Sequence, residues 1–253
     1  MVIFPSSAAR AQDLAAALAA KAADLPEDLC AVLGGDGTML RAIDRHGPGM
    51  RYLGVNCGRL GFLMNDVDGA PEAVAARIVD AVRAGDVVTH AFPRLSMEAH
   101  DTDGVRHDGL ALNDVYVERM LGQTCHLRVV VDGVEVVRHM VCDGIIAATA
   151  LGSTAYSFSA GGPAAHPRLR AMALTAICPH TPRLHPLVLP LESVVEVEVA
   201  DPARRPARAV ADGKPVPNVR RVVIRGDTGE VGLCFLAGHD FTATMIRKVL
   251  RGA

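Results

Sequence analysis

Leu29-Cys30-Ala31-Val32-Leu33-Gly34-Gly35-Asp36-Gly37-Thr38-Met39-Leu40 decides the fold of the first part of the chain. Residues 29–33 form an apolar run short enough for a strand and apolar enough to be buried on both faces. Three glycines around one aspartate then turn the chain, and Thr38 is placed to cap a helix carrying Met39, Leu40 and Ile43. Upstream, residues 2–4 read as a short strand and residues 8–23 as an alanine-rich helix with Leu14 and Leu18 four apart. Downstream, residues 51–55 read as a third strand leading into Asn56-Cys57-Gly58-Arg59-Leu60-Gly61-Phe62-Leu63. Pro71 opens another helix, with Val74, Ile78 and Val82 spaced by four. Strands alternating with helices predict a Rossmann-like, doubly wound α/β sheet.

The composition shifts near Ala91-Phe92-Pro93. Beyond it, β-branched alternation marks strands at residues 114–117, 127–131, 134–137, 145–148, 194–199 and 221–224. Asp132-Gly133 between two of them is a hairpin turn signal. Residues 93–228 are therefore expected to form a β-rich, sandwich-like second domain. Phe241–Leu250 reads as a helix whose apolar face is Phe241, Met245, Ile246 and Val249. That helix is expected to return to the first domain, which then comprises residues 1–92 and 229–253.

With 253 residues, half of them apolar, the chain can bury a substantial core. No uncharged apolar run approaches the roughly 18 residues of a membrane span. The start, MVIFPSSAAR, lacks the charged opening of a signal peptide, so a cytoplasmic protein without membrane contact is expected. A net charge of −2 excludes the broad basic footprint of a nucleic-acid binder. Arg204, Arg205, Arg208, Arg220 and Arg221 do cluster, and read as a solvated arginine-rich surface rather than a polyanion site. Cys30, Cys57, Cys125, Cys142, Cys178 and Cys234 are scattered without a CxxC, which predicts free, mostly buried thiols. His180 and His185 lack a third spaced ligand and read as loop histidines rather than metal ligands.

The glycine turn lies at the carboxyl end of a buried strand, the edge at which open α/β sheets bind ligands. Glycines let backbone approach a phosphate, and the helix start behind them supplies N–H donors. Asp36 is the telling residue. A carboxylate in a phosphate cradle is repelled unless it binds metal or takes a proton; otherwise it merely fills a tight turn. Further on, Gly152-Ser153-Thr154-Ala155-Tyr156-Ser157 gathers small residues, hydroxyls and one aromatic after a strand. That suits a nucleoside site, and equally a Ser/Thr-rich loop. Asn113-Asp114 puts two polar residues at a strand start, as a site or as an Asx cap.

Gly34 to Thr38 is similar to the GGDGT signature shared by NAD kinases, 6-phosphofructokinases and diacylglycerol or sphingosine kinases, and alone does not choose among them. The segment from Gly54 to Leu63 resembles the GxNxGxLGFL segment of NAD kinases. Asn113-Asp114 stands where that family carries an Asn-Glu or Asn-Asp pair. Asp143-Gly144, followed by Gly152 through Pro163, resembles its longest signature, DG…TPTGSTAYSLSAGGP. Cys178-Pro179-His180 with Pro186-Leu187-Val188 resembles its PH…RPLV segment, and Asp212-Gly213 follows. The motifs occur in the family's order. The sequence departs from it at Ala150-Leu151, where Thr-Pro-Thr-Gly is usual, and at Lys214, where glutamine is commoner. It departs also at Val141, where many relatives carry a basic residue; Arg138 or His139 would substitute, or the contact is absent.

The resemblance implies an enzyme, an NAD kinase, that transfers the γ-phosphate of ATP to the 2′-hydroxyl of the adenosine ribose of NAD, giving NADP. Asp36 would be the general base. Gly34, Gly35, Gly37 and Thr38, with Arg41, would serve the phosphates, and Asn56 would bind NAD or ATP. Asn113, Asp114, His126, Asp143, Thr154, Ala155, Tyr156, Ser157, Ser159 and Lys214 would serve the nucleotides. Mg²⁺ or another divalent cation would come with ATP rather than sit in a dedicated protein cage. A homo-oligomer, dimer or tetramer, is also implied. Another GGDGT-type kinase, acting on lipid or sugar phosphate, and a non-catalytic NAD or NADP binder are the alternatives.

Overall fold

The computed structural model describes residues 1–58 and 61–250. Arg59 and Leu60 of the segment from Gly54 to Leu63, and the last three residues of the chain, lie outside the described residues.

The chain divides into two compact units, Met1–Phe92 joined by the chain from Glu230 onward, and Pro93–Gly229. The first begins β1 (Val2–Pro5), α1 (Ala9–Ala19), β2 (Leu29–Gly34), α2 (Asp36–His46), β3 (Arg51–Asn56) and α3 (Pro71–Ala84). β1, β2 and β3 lie side by side and parallel. Every residue of β2 is buried, as a strand covered on both faces must be. Leu14 and Leu18 of α1 and Val74, Ile78 and Val79 of α3 share one core with Ala31, Leu33, Leu53 and Val55. Met39 of α2 reaches the opposite face, where a Cβ on Gly54 would stand 2.7 Å from the Met39 methyl. Helices therefore cover both faces, and the doubly wound arrangement holds. α1 is shorter than its alanine run, ending at Ala19.

The second unit carries β4 (Val87–Asp101, which begins in the first), β5 (Arg106–Ala111), β6 (Asp114–Arg119), β7 (Cys125–Val131), β8 (Val134–Cys142) and β9 (Gly144–Thr149). A 3₁₀ turn at Gly152–Thr154 and the one-turn α4 (Tyr156–Ser159) follow. Then come β10 (Ala171–Ile177), β11 (Leu187–Pro190), β12 (Val195–Val199), β13 (Ala207–Ala211), β14 (Lys214–Val216) and β15 (Val219–Leu236). One antiparallel sheet runs β11-β10-β9-β6-β13-β14; in the other, β12 lies between β7 and the first half of β15. Alternate residues of both sheets, among them Val115, Val117, Leu127, Val129, Ile145, Leu174, Val197 and Ala209, fill one shared core. This is a β-sandwich. Asp132 and Gly133 both have positive φ, 49° and 79°, as a two-residue hairpin turn requires.

β15 corrects the sequence expectation of a short strand at 221–224. Its first half pairs antiparallel with β12; its second half, Gly232–Cys234, pairs parallel with β3 in the first unit. β4 likewise runs unbroken through Pro93. The chain closes with α5 (Phe241–Leu250), in the first unit as expected. Phe241 packs edge-on against Phe92, Phe235, His90 and His239. Among its described side chains, Phe241 and Thr244 are buried, while Ile246 is 45% exposed. Among the described residues no helix is long and apolar enough to cross a membrane. All six cysteines are free and four are buried, as expected; Cys57 is half-buried and Cys178 exposed.

Candidate functional site

In the first unit the expected phosphate residues converge on the β2–α2 junction. Gly35 caps α2, so Thr38 is not the cap the sequence suggested; it lies in the first turn, buried. Gly34 is required by that packing, since its Cβ would stand 2.5 Å from Thr38 Oγ1. Gly35 has no such reason: its φ is −128°, and nothing lies within 4 Å of a Cβ there. Among the described residues, nothing crowds a side-chain position at that helix start. Arg41 follows one turn later and donates from Nη2 to Thr38 Oγ1 at 3.1 Å, which brings a cation to the glycine turn.

Asp36 is the first residue of α2. Its carboxylate accepts the backbone N–H of Phe62 at 2.7 Å and of Leu63 at 3.0 Å. The two bonds tie the helix start to the segment after β3. Among the described residues these bonds use two of its roughly four lone-pair sites. Asn56 ends β3, donates to Asp66 Oδ1 at 2.8 Å and accepts the Gly58 N–H at 3.1 Å. Cys57 N–H donates to Gly34 O at 2.9 Å, which fixes this segment beside the glycine turn.

In the second unit, Asn113 immediately precedes β6 and Asp114 begins it, buried. Burial, and then the negative charge of Asp212, push the Asp114 carboxyl up to about 7. Burial also raises Asp212, while Lys214 on the adjoining β14 works to lower it. Tyr156 is 37% exposed and meets Tyr116 edge-on, ring centres 5.1 Å apart. Its phenol is raised by burial first and then by nearby Glu118, Cys178, Asp143 and Asp114. Asp143 stands in that neighbourhood, accepting from Arg119 Nε at 2.6 Å.

Ser157 turns inward, whereas His126 lies on the face of β7 opposite buried Cys125 and Leu127. Ser157 is fully buried and bonds the Thr175 hydroxyl at 3.0 Å. His126 packs edge-on against His139 at 4.5 Å, and burial, Arg205 and His139 lower its basicity. None of these partners of His126 is among the other expected binding residues. Thr154 is half-buried, while Ala155, Ser159 and Lys214 are exposed. The arginine cluster forms surface ion pairs, Arg208 with Glu118, Arg221 with Glu196 and Arg204 with Asp201.

Sequence reasoning missed Arg119, Thr149 and Asp212. Thr149 carried a signal: it is the one polar side chain at the end of the apolar run Ile145-Ile146-Ala147-Ala148. Asp212-Gly213 entered only as part of the family's motif order. Nothing in the sequence marked Arg119.

Comparison with known proteins bears on the whole chain. Residues 112–224 match the family model described as the ATP-NAD kinase C-terminal domain. The NAD kinase of Hyphomonas neptunium is 36% identical over 226 residues, covering 87% of this chain and 85% of that protein. The NAD kinase of Rhizobium meliloti is 37% identical over 199 residues, covering 78% and 74%. The crystal structure of an NAD kinase from Archaeoglobus fulgidus in complex with ATP superposes with a TM-score of 0.75 at 28% identity, over 98% of this chain and 97% of that one. Yeast NADH kinase complexed with NADH shares the fold, with a TM-score of 0.77 at 24% identity over 88% of this chain and 66% of that one. Identity at this level across most of both chains, carried on the same fold and by the motifs from Gly34 to Asp212, makes this chain a member of the NAD kinase family.

Proposed function

We propose that this chain transfers the γ-phosphoryl group of ATP to the 2′-hydroxyl of the adenosine ribose of NAD, releasing ADP and NADP. The observation that carries the reading is the β2–α2 junction: a carboxylate at a helix start, flanked by a glycine whose Cβ position is open. Phosphates suit the N–H donors and partial positive charge of that helix end. In-line transfer asks for positioning and charge neutralisation more than for covalent help.

The ribose 2′-oxygen forms the new bond to the γ-phosphorus as the bond to the β,γ-bridging oxygen breaks, and Asp36 takes the hydroxyl proton. Gly34, Gly35, Gly37 and Thr38 receive the phosphates, with Asn56 at the neighbouring strand end and Arg41 adding charge. Asn113, Asp114, Asp143, Thr154, Ala155, Tyr156 and Ser159 bind the dinucleotide, and Ser157 supports them through Thr175. Lys214 acts through Asp212, and His126 completes the set. Among the described residues no group of three or more His, Cys, Asp or Glu could hold a metal. Mg²⁺ or another divalent cation would come with ATP and would neutralise charge on its phosphates. Assembly as a dimer or tetramer and a cytoplasmic location complete the proposal; light scattering tests the first.

The test of activity is direct. Purified protein with NAD, ATP and Mg²⁺ is expected to form NADP and ADP in equal amounts, read by an NADP-specific dehydrogenase. ADP without NADP, or neither product, contradicts the reading.

A further inference from the structure

Residues 112–114 form the corner at which Asn113 and Asp114 enter β6. Asp212 Oδ2 accepts the Leu112 N–H at 2.6 Å, and Oδ1 accepts those of Asn113 at 3.0 Å and Asp114 at 3.2 Å. Asp212 N–H donates back to Asp114 O at 3.1 Å. From the other side, Thr149 Oγ1 donates to Leu112 O at 2.7 Å and Thr149 N–H to Asn113 O at 2.9 Å. All six backbone polar groups of the corner are thus bonded by two residues. An aspartate in a turn ordinarily bonds its own neighbours. Asp212 instead reaches amides 98 to 100 positions away, from a left-handed φ of 44° at the β13–β14 hairpin.

We propose that Asp212 and Thr149 are positioning residues for the acceptor dinucleotide, acting through the backbone of residues 112–114 to fix the side chains of Asn113 and Asp114. The inference rests on Asn113 and Asp114 binding the acceptor, as proposed above. A corner with every backbone group bonded has little freedom left to lose when ligand arrives, so ordering it beforehand favours binding. The same Thr149 hydroxyl accepts the Gly152 N–H at 3.0 Å, which ties the corner to the segment leading to Tyr156. Replacing the Asp212 carboxylate by an amide would turn a donor toward amide N–H groups, and removing the Thr149 hydroxyl would strand the Leu112 carbonyl.

The test measures NAD affinity by calorimetry, together with KM for NAD and for ATP, in wild type, Asp212→Asn, Thr149→Val and Thr149→Ser. Asp212→Asn and Thr149→Val are expected to weaken NAD binding roughly ten- to a hundredfold, the range for a lost hydrogen bond to a charged or buried group. KM for ATP is expected to stay near the wild-type value, and Thr149→Ser, which keeps the hydroxyl, to restore NAD affinity. Wild-type NAD affinity in folded Asp212→Asn and Thr149→Val, or equal losses for NAD and ATP, overturns the inference. Should Asp212→Asn fail to fold, the Thr149→Val and Thr149→Ser pair decides, with amide exchange at Asn113 and Asp114 in ligand-free wild type. Slow exchange there supports a preformed corner; exchange at the rate of an unstructured peptide overturns it. Absence of NAD binding by wild type would instead remove the proposed function itself.

Discussion

Gly152 lies so close to Asn113 that a Cβ on it would overlap the Asn113 carbonyl oxygen. Its φ is not among the positive values, so the demand is for space and not for backbone conformation. Gly152→Ala is therefore expected to push on the corner that begins β6. Overpacking of this kind costs about 1–3 kcal/mol. Urea unfolding should show a lower midpoint, with weakened NAD binding. An unchanged midpoint would mean that the backbone gives way easily and that the corner is not rigid.

Asp114 links stability to pH. Its carboxyl is pushed from 3.8 up to about 7, so between those values the folded protein keeps a proton that the unfolded chain has lost. Stability contributed by that proton falls as pH rises through the window and levels off above it. Asp114→Asn removes the buried charge. Its melting temperature is expected to exceed that of wild type at pH 8, with a smaller gap at pH 5. Equal gaps at both pH values would show that Asp114 does not titrate in this range.

Phe241 joins the C-terminal helix to the aromatic group of Phe92 and Phe235, with ring centres 6.0 and 4.9 Å away. Phe241→Ala should cost about 3–5 kcal/mol, the usual range for a buried phenylalanine. Amide exchange should accelerate first in β1, β2 and β3. Acceleration confined to residues 93–229 would contradict the role given to this helix.

Tyr156 rests on Tyr116 with part of its ring exposed. A ring that covers a bound base helps ground state and transition state alike, so its loss appears in KM. Tyr156→Ala is expected to raise KM for NAD and to leave kcat and the KM for ATP nearly unchanged. A collapse of kcat at constant KM would assign Tyr156 to the chemical step.

Local relationships were legible in the sequence and distant ones were not. The strand, glycine turn and helix at residues 29–46 follow from a buried apolar run and an apolar helix face next to each other in the chain. Asp132-Gly133 likewise announces its hairpin by composition alone. β15 was hidden because Gly226, Asp227 and Gly229 interrupt its alternation. Gly226 is there because a Cβ would stand 2.6 Å from the Leu191 carbonyl, a contact no local pattern encodes. Pro93 obscured β4 in the same way. Thr38 read as a cap because its type favours that position, yet Gly35 takes the role and Thr38 is packed under Gly34. The Asp212 clamp joins residues 98 to 100 apart and became visible only once β13 and β6 paired.

Asp36 carries the central claim, that a carboxylate at the head of α2 accepts the proton of the ribose hydroxyl. Asp36→Asn is nearly isosteric and keeps an oxygen to accept from Phe62 or Leu63. The most direct measurement is single-turnover NADP formation by Asp36→Asn and wild type at saturating NAD and ATP, with NAD affinity measured alongside. The expected result is a rate lower by about 10² to 10⁴-fold, the usual size of a general-base contribution, with NAD affinity within a few fold of wild type. A variant that turns over NAD at the wild-type rate would contradict it.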